Sequence, residues 1–405
     1  MTASEPEVAT EATPEESFAT RIYENIKGGN LGSWPVIIGL IGIVTYFGLT
    51  TENFFTPVNF NNVLAQMAGV TMLAYGVVFV LLLGEIDLSI AYVSATAGVI
   101  AATLQQEGGI YLHGIWPIVV AVIVAALIGA LQGSFVAIIG VPSFVVTLAG
   151  LLIWQGYVQL SLGDTGPIII QNKWINYTAQ YFFSENWGWA IAAVISALFV
   201  GGTLGLVWQQ RRHGVAIRNP IGLVLRLIAV PVGAFLVVYI CNKDRGLPLV
   251  GLEMIFFLIF WTYISKRTTF GRHVYAVGGN AEAARRAGIS VARIRILVFG
   301  ISGFMAGVGG IILAARLSSV APDQGGGTLL LDAISAAVIG GTSLFGGRGD
   351  IRNALFGALV IATIANGLNT LGYSSGVIFI VTGVILLLAV TLDTVARRLQ
   401  TKSGR

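Results

Sequence analysis

The chain has 405 residues, 55% of them hydrophobic and only 10% charged, with a formal net charge of +4. A soluble domain carries about 25% charged residues, so an ordinary water-soluble globule is excluded. The apolar runs are continuous rather than alternating, which excludes a β-barrel. Because backbone groups in lipid must be satisfied within each segment, the class that remains is an all-α polytopic membrane protein.

Residues 1–33 are acidic, small and proline-containing. They predict a disordered cytoplasmic tail, not a signal peptide, which would open on a basic stretch followed by an apolar one. A membrane domain over 34–395 follows, with about 12 apolar segments at 34–49, 62–83, 87–104, 116–139, 143–162, 187–208, 220–241, 249–265, 294–315, 329–345, 353–373 and 377–393. A run of about 20 apolar residues is long enough to cross a bilayer as a helix. If the N-terminus is inside and every segment crosses, nineteen of the 23 basic residues fall inside, and only Lys173, Lys243, Arg245 and Arg316 fall outside. This is the positive-inside pattern. It predicts cytoplasmic N- and C-termini and a basic cytoplasmic tail over 396–405, and it explains the positive charge without a nucleic-acid partner. Segment 329–345 is the weakest span, rich in Ala and Gly and carrying Asp332, yet the charge balance requires it to cross. One cysteine, Cys241, and three scattered histidines offer no metal site.

From Asn61 to Leu104 the only charged residues are Glu85 and Asp87, within GEIDLS. These 44 residues would span about 66 Å as one helix, which is two spans. GEIDLS therefore marks a helix break: Gly84 allows the turn, and Asp87 is placed to cap a segment beginning at Leu88. Ser89 belongs to the same break. Two small-xxx-small spacings, Gly129 with Gly133 and Gly303 with Gly307, predict close helix packing. Leu127-x-Gly129-Ala130-Leu131 resembles Leu355-x-Gly357-Ala358-Leu359, a hint of internal duplication.

The largest inside connection, 266–293, holds a complete helix grammar. Asn280 is an N-cap. Glu282 lies in the first turn, with Arg285 and Arg286 in the last. Ala281, Ala283, Ala284 and Ala287 favour helix, Gly288 closes it, and Gly279 precedes it. Two isolated turns are too short to be stable alone, so this helix, 281–287, suits docking into a groove on another protein.

Four stretches carry a family resemblance. FGRHVYAVGGNAEAARRAGI (270–289) resembles the cytoplasmic coupling loop of bacterial ABC-importer permeases of the ribose/xylose class. LDAISAAVIGGTSLFGGRGDIRNALFGAL (331–359), GEIDLS (84–89) and VPSFVVTLAGLLIWQG (141–156) are similar to that family's other signatures. The extra pair of segments near 187–241 places the chain nearer the xylose-type permeases. The departure is Ile90-Ala91-Tyr92, where the family has Val-Gly-Ser. The resemblance implies a multi-pass protein of the bacterial plasma (inner) membrane, two copies of which form a pathway for a monosaccharide such as xylose. It implies cytoplasmic ABC ATPase subunits that dock on the 281–287 helix and an extracytoplasmic sugar-binding protein. The chain needs no cofactor of its own, because ATP and Mg belong to the ATPase and no G-x-x-x-x-G-K-[ST] occurs here.

No nucleophile–base constellation points to an enzyme, so no residue is assigned as catalytic. The alternative is a sugar–proton symporter with Glu85 or Asp87 as proton carrier; it leaves the capped 281–287 helix unexplained. Sugars bind through hydrogen bonds and aromatic faces. The candidate pathway-lining residues are thus Gln66, Tyr75, Tyr92, Trp154, Gln155, Tyr157, Asn366 and Asn369, with Gly84, Glu85, Asp87 and Ser89 as gating candidates.

Overall fold

A computed structural model of the protein describes residues 34–107, 109–163, 166–214 and 220–402; the acidic tail 1–33 and the last three residues lie outside these. The helices are α1 (Trp34–Thr50), α2 (Pro57–Leu82), α3 (Ile90–Leu104), α4 (Trp116–Ser134, prolonged by a π-turn over Phe135–Ile139), α5 (Ser143–Leu162), α6 (Lys173–Gln180), α7 (Glu185–Arg212) and α8 (Pro220–Asn242). They continue with α9 (Leu249–Arg267), α10 (Thr269–Gly279), α11 (Ala281–Arg286), α12 (Val291–Leu317), α13 (Leu329–Ile339), α14 (Ile351–Thr370) and α15 (Ser375–Lys402). Among the described residues eight helices are long and apolar enough to cross a membrane: α2, α4, α5, α7, α8, α9, α12 and α14. Each apolar segment read from the sequence carries a helix, but not every one is a full span.

The core is built on α2 and α12, which run antiparallel. Thr56 caps α2 by accepting from Asn59 N at 3.3 Å, and Pro57 opens it. Both helices are buried on most sides, so their contacts use glycine. Gly76 lies against the Ser302 backbone and Met305, and Gly309 against Leu73 and the Gly69 carbonyl. Helix α4 packs on the next face of α12. Gly129 and Gly303 meet backbone to backbone there, while Gly133 abuts Phe299 and Gly307 abuts Val122. The two small-xxx-small pairs thus face each other inside one chain and are not free to join two copies.

The crossing segments 87–104 and 329–345 are shorter as helices than the sequence predicts. Helix α3 has 15 residues and α13 has 11, about 22 and 16 Å against a hydrocarbon core of about 30 Å. Non-helical chain precedes each of them, 83–89 before α3 and 321–328 before α13. The order long helix, half-helix, long helix occurs twice, as α2–α3–α4 and α12–α13–α14, in opposite directions. The paired Leu-x-Gly-Ala-Leu motifs lie on the third helix of each set, though Gly129 packs on α12 and Gly357 on Ala336 of α13.

The two ends of the bundle differ. One holds the end of α2, α10, α11, the start of α12 and the 340–350 loop, with Lys266, Arg267, Arg272, Arg285, Arg286, Arg293, Arg295, Arg348 and Arg352. The other is closed by two short antiparallel pairs: β1 (Ile168–Ile169) with β4 (Ser319–Val320), and β2 (Phe182–Phe183) with β3 (Leu247–Pro248). Gln105 ties this end together, with Oε1 accepting from Gln171 N and Asn172 N and Nε2 donating to the Ile169 carbonyl. The α7–α8 hairpin packs chiefly on itself and is held at its open end by Asn61 Nδ2 donating to Asp244 at 2.9 Å.

The 266–293 connection contains α10 as well as the expected short helix, and α15 runs on through the basic stretch as far as Lys402. Phe270, Val274 and Val277 of α10 turn toward the core at helical spacing, a pattern the adjacent Gly278-Gly279 pair disguises.

Candidate functional site

The break after α2 forms for a backbone reason. Gly84 takes φ 75, a left-handed conformation only glycine adopts freely. Leu82 O, left without an intrahelical donor at the helix end, accepts from Gly347 N at 2.9 Å. A methyl on Gly84 would sit 3.2 Å from the Phe345 carbonyl, and one on Gly278 would collide with the Leu82 carbonyl. Three chain segments with no side chains between them, 84, 278–279 and 346–347, therefore meet at the basic end of the bundle.

From this junction the chain runs inward. Glu85 Oε1 pairs with Arg295 of α12 at 3.0 Å, with side-chain exposures of 15% and 28%. The Asp87 carboxyl lies deeper and is 6% exposed. Its Oδ1 accepts from Ser89 N at 3.0 Å and Ser89 Oγ at 2.7 Å; its Oδ2 accepts from Ser302 Oγ at 2.7 Å. Ser302 is eleven residues into α12, only about 3 Å short of that helix's midpoint. The helix that follows begins at Ile90, with Ser89 as N-cap residue. The cap thus differs from the expected one: Asp87 holds the N–H of the cap residue itself instead of capping a helix from Leu88. Ser89 Oγ also lies 2.8 Å from the Gln132 amide. One hydroxyl proton cannot serve two acceptors. Since it goes to Asp87, Gln132 Nε2 must face Ser89 as donor, which also satisfies a nitrogen otherwise buried without a partner.

Half-buried charge pairs of this kind contribute about 1–3 kcal/mol. Glu85→Gln or Arg295→Gln is expected to lower uptake by the assembled transporter about 5- to 150-fold, and the double exchange Glu85→Arg with Arg295→Glu to restore it. Unchanged uptake in both single variants would remove the pair from any role in switching.

Helix α11 has the expected construction. Asn280 Oδ1 accepts from Ala283 N at 2.9 Å, Glu282 bridges to Arg285 at 2.8 Å and to Arg286 at 3.4 Å, and Gly288 takes φ 83. Ala287 is its C-cap, which puts Gly288 at the C′ position as expected. Ala284 is buried against the body, while Glu282, Ala283, Arg285, Arg286 and Ala287 are exposed. The helix stands on the glycine junction through α10 and leads after four residues into α12. Beside it, Tyr275 Oη donates to the Gly349 carbonyl and Asp350 meets Lys266 and Arg352. Burial alone would raise the Asp350 carboxyl, but the Arg352 hydrogen bonds and both cations hold it below the ordinary carboxylate range.

At the opposite end a cleft of about 410 Å³ opens between α2, α12, α13 and α14. Of the candidate pathway residues, Gln66 and Asn369 line it. Tyr92 lies just beneath, its ring against Gly325 and its hydroxyl by Gly326; the 325–327 glycines make room for this departure from the family pattern. Asn366 is buried one turn from Asn369. Tyr75 is not brought to the cleft: it is fully buried and donates to the Met254 carbonyl. Trp154, Gln155 and Tyr157 lie apart on α5, the two rings edge to face. Arg316, Gln324, Thr328 and Asp332 of the cleft were not among the site candidates read from the sequence. The signal that could have found Asp332 is a charge within an apolar segment, which by itself marks a site.

Comparison with known proteins decides what these features belong to. A family model described as "Branched-chain amino acid transport system / permease component" matches residues 59–390. The chain belongs to that family. It is 34% identical over 390 residues to the xylose transport system permease protein XylH of Escherichia coli, covering 93% of this chain and 95% of the relative. It is 36% identical over 375 residues to the XylH of Haemophilus influenzae, covering 91% and 98%. It is 33% identical over 357 residues to the ribose import permease protein RbsC of Escherichia coli, covering 88% and 92%. No solved structure matches the chain. The resemblance to ribose/xylose-class permeases thus extends over nearly the whole length of this permease. It is a multi-pass membrane transport protein and not an enzyme.

Proposed function

We propose that this permease is the transmembrane subunit of an ATP-driven importer of a pentose such as xylose, with its basic end and both termini in the cytoplasm of a bacterial cell. The observation that carries the coupling is α11: a capped helix of six residues, exposed on one side at the basic end and seated on the other, through buried Ala284, against α10 and α12. A partner ATPase that grips α11 would move α12, and with it Arg295–Glu85 and Ser302–Asp87. One cytoplasmic contact then biases a broken helix near mid-membrane, the type of two-state element that differential binding can shift. A second copy of the permease, ATP and Mg on the ATPase, and a sugar-loaded binding protein outside complete the machine.

The test is uptake of D-xylose into proteoliposomes holding the complete complex. Uptake should require ATP, persist when a protonophore collapses the proton gradient, and fall to background when Ala283 and Ala287 are both replaced by Asp, which puts charge on the docking face. Uptake abolished by the protonophore at constant ATP would overturn the importer reading in favour of a proton symporter.

A further inference from the structure

The outer cleft has the chemistry of a sugar site. One wall is apolar, formed by Val70, Leu313, Ile361, Ala362 and Ala365. The other carries the uncharged Gln66, Gln324, Thr328 and Asn369 and the charged Arg316, Asp323 and Asp332. Among the described residues, the side chains of Gln66, Arg316 and Asn369 make no hydrogen bond or ion pair. Asp332 accepts only from Thr328 Oγ1, at 2.7 Å, through Oδ2. Gln324 Oε1 accepts from Ala321 N, while its Nε2 is buried without an acceptor. Among the described residues Gln324 Nε2 is the one buried donor of the cleft left without a partner, which a ligand hydroxyl would satisfy, and the open side chains of Gln66, Arg316 and Asn369 offer further donors and acceptors to a ligand with many hydroxyls.

Size and depth agree. A volume of about 410 Å³ is at the small end of ligand pockets, roughly 300–1,000 Å³. The wall of α14 from Asn369 to Ile361 descends about 12 Å, ending where Thr328 and Asp332 begin the half-helix α13. A second cleft of about 430 Å³ shares Gln66 and Arg316 and continues toward the rim past Asn62 and Arg245. No aromatic ring lines the inner cleft, so stacking is lacking and the ligand is held through its hydroxyls alone, loosely enough to move on.

We infer that this cleft is the outer acceptance site for an uncharged monosaccharide, with Asp332, Gln324 and Arg316 bonding its hydroxyls and Asn369 and Gln66 at the entrance. The inference rests on the importer reading above. The amides and Thr328 outnumber the charged groups, which favours a polyol over an α-amino acid; a branched-chain amino acid is the competing ligand for the same apolar wall and Arg316–Asp332 pair.

The experiment uses the complete complex in proteoliposomes and two measurements. In the first, Asp332→Asn and Gln66→Leu are compared with the parent for D-xylose and D-ribose uptake, using only preparations that assemble with the ATPase. Loss of one hydroxyl bond should lower xylose uptake about tenfold, and Gln66→Leu should shift the xylose-to-ribose rate ratio about threefold or more, which a merely structural role would not do. In the second, the Gln324→Cys variant in a Cys241→Ser background is labelled by a small methanethiosulfonate from outside, and D-xylose should slow labelling about fivefold while leucine does not. Slowing by leucine and not by xylose would overturn the sugar assignment. Unchanged uptake, an unchanged sugar ratio and no protection of the Gln324→Cys thiol by xylose, in a complex that still imports xylose with ATP, would overturn the cleft alone. Absence of ATP-driven uptake in the parent complex would instead overturn the importer reading.

Discussion

Asp87→Ala is expected to destabilise the permease by about 3–5 kcal/mol, because it orphans three buried donors at once, each worth about 1–3 kcal/mol. Ser302 Oγ, Ser89 Oγ and Ser89 N all point at this one carboxyl. The site lies where α3, α4, α5 and α12 converge, so the loss would free the start of α3 and the packing of Gly150 against Gln132 and Ser89. Asp87→Asn is the informative companion. Its carbonyl oxygen still accepts from Ser89, and its amide donates to Ser302 once that hydroxyl rotates, so the cost should stay near about 1 kcal/mol and uptake should survive within about threefold. Melting of the purified protein and uptake by the reconstituted complex measure the two effects. A well-folded Asp87→Asn protein with no uptake would show that the proton on this group is part of the transport chemistry, as a symporter requires.

Gly278→Ala is expected to be damaging as well, and Gly279→Ala nearly silent. A methyl at 278 runs into the Leu82 carbonyl and lies 2.9 Å from Gly347 N, backbone on both sides, whereas a methyl at 279 meets nothing within 4 Å. Backbone atoms cannot rotate away as a side chain can, so the overpacking cost of about 1–3 kcal/mol falls on the Leu82–Gly347 hydrogen bond and on the seat of α11. Uptake should drop about tenfold or more in Gly278→Ala, with ATP hydrolysis by the complex no longer stimulated by loaded binding protein, while Gly279→Ala should lie within about 0.5 kcal/mol of the parent. Equal behaviour of the two variants would mean the junction transmits nothing.

Much of the architecture was legible because hydropathy and charge act along the chain. The apolar segments, the basic end and the α11 capping residues depend on neighbours a few positions away. Depth and partnership were not legible. A hydropathy run reports that 87–104 is apolar, not that it starts as a helix only at Ile90. The Ser302 partner of Asp87 lies 215 residues away, and no local pattern announces it. Tyr75 and Gln66 look alike as polar residues in one apolar helix, yet their faces differ: the first turns to Met254 and the second to the cleft. In the sequence Asp332 weakens a span; in the structure it sits in the first turn of α13, which starts at Leu329 as expected and stops early, at Ile339, before Gly340 and the left-handed Gly341 (φ 84).

The 215-residue separation between Asp87 and Ser302 has a consequence for biosynthesis. A ribosome adding about 5–20 residues per second takes roughly 10–40 s to reach Ser302 after Asp87 emerges. During that interval the first broken helix is already made, but its carboxyl has only Ser89 to bond. The carbonyl of Leu82 waits longer still, until Gly347 is made. The early half of the chain must therefore be sheltered, in the insertion machinery or at the headgroup layer, until α12 and the 340–350 loop arrive. Nascent chains stalled before residue 302 should be extracted from membranes by alkali more readily than chains stalled after 350.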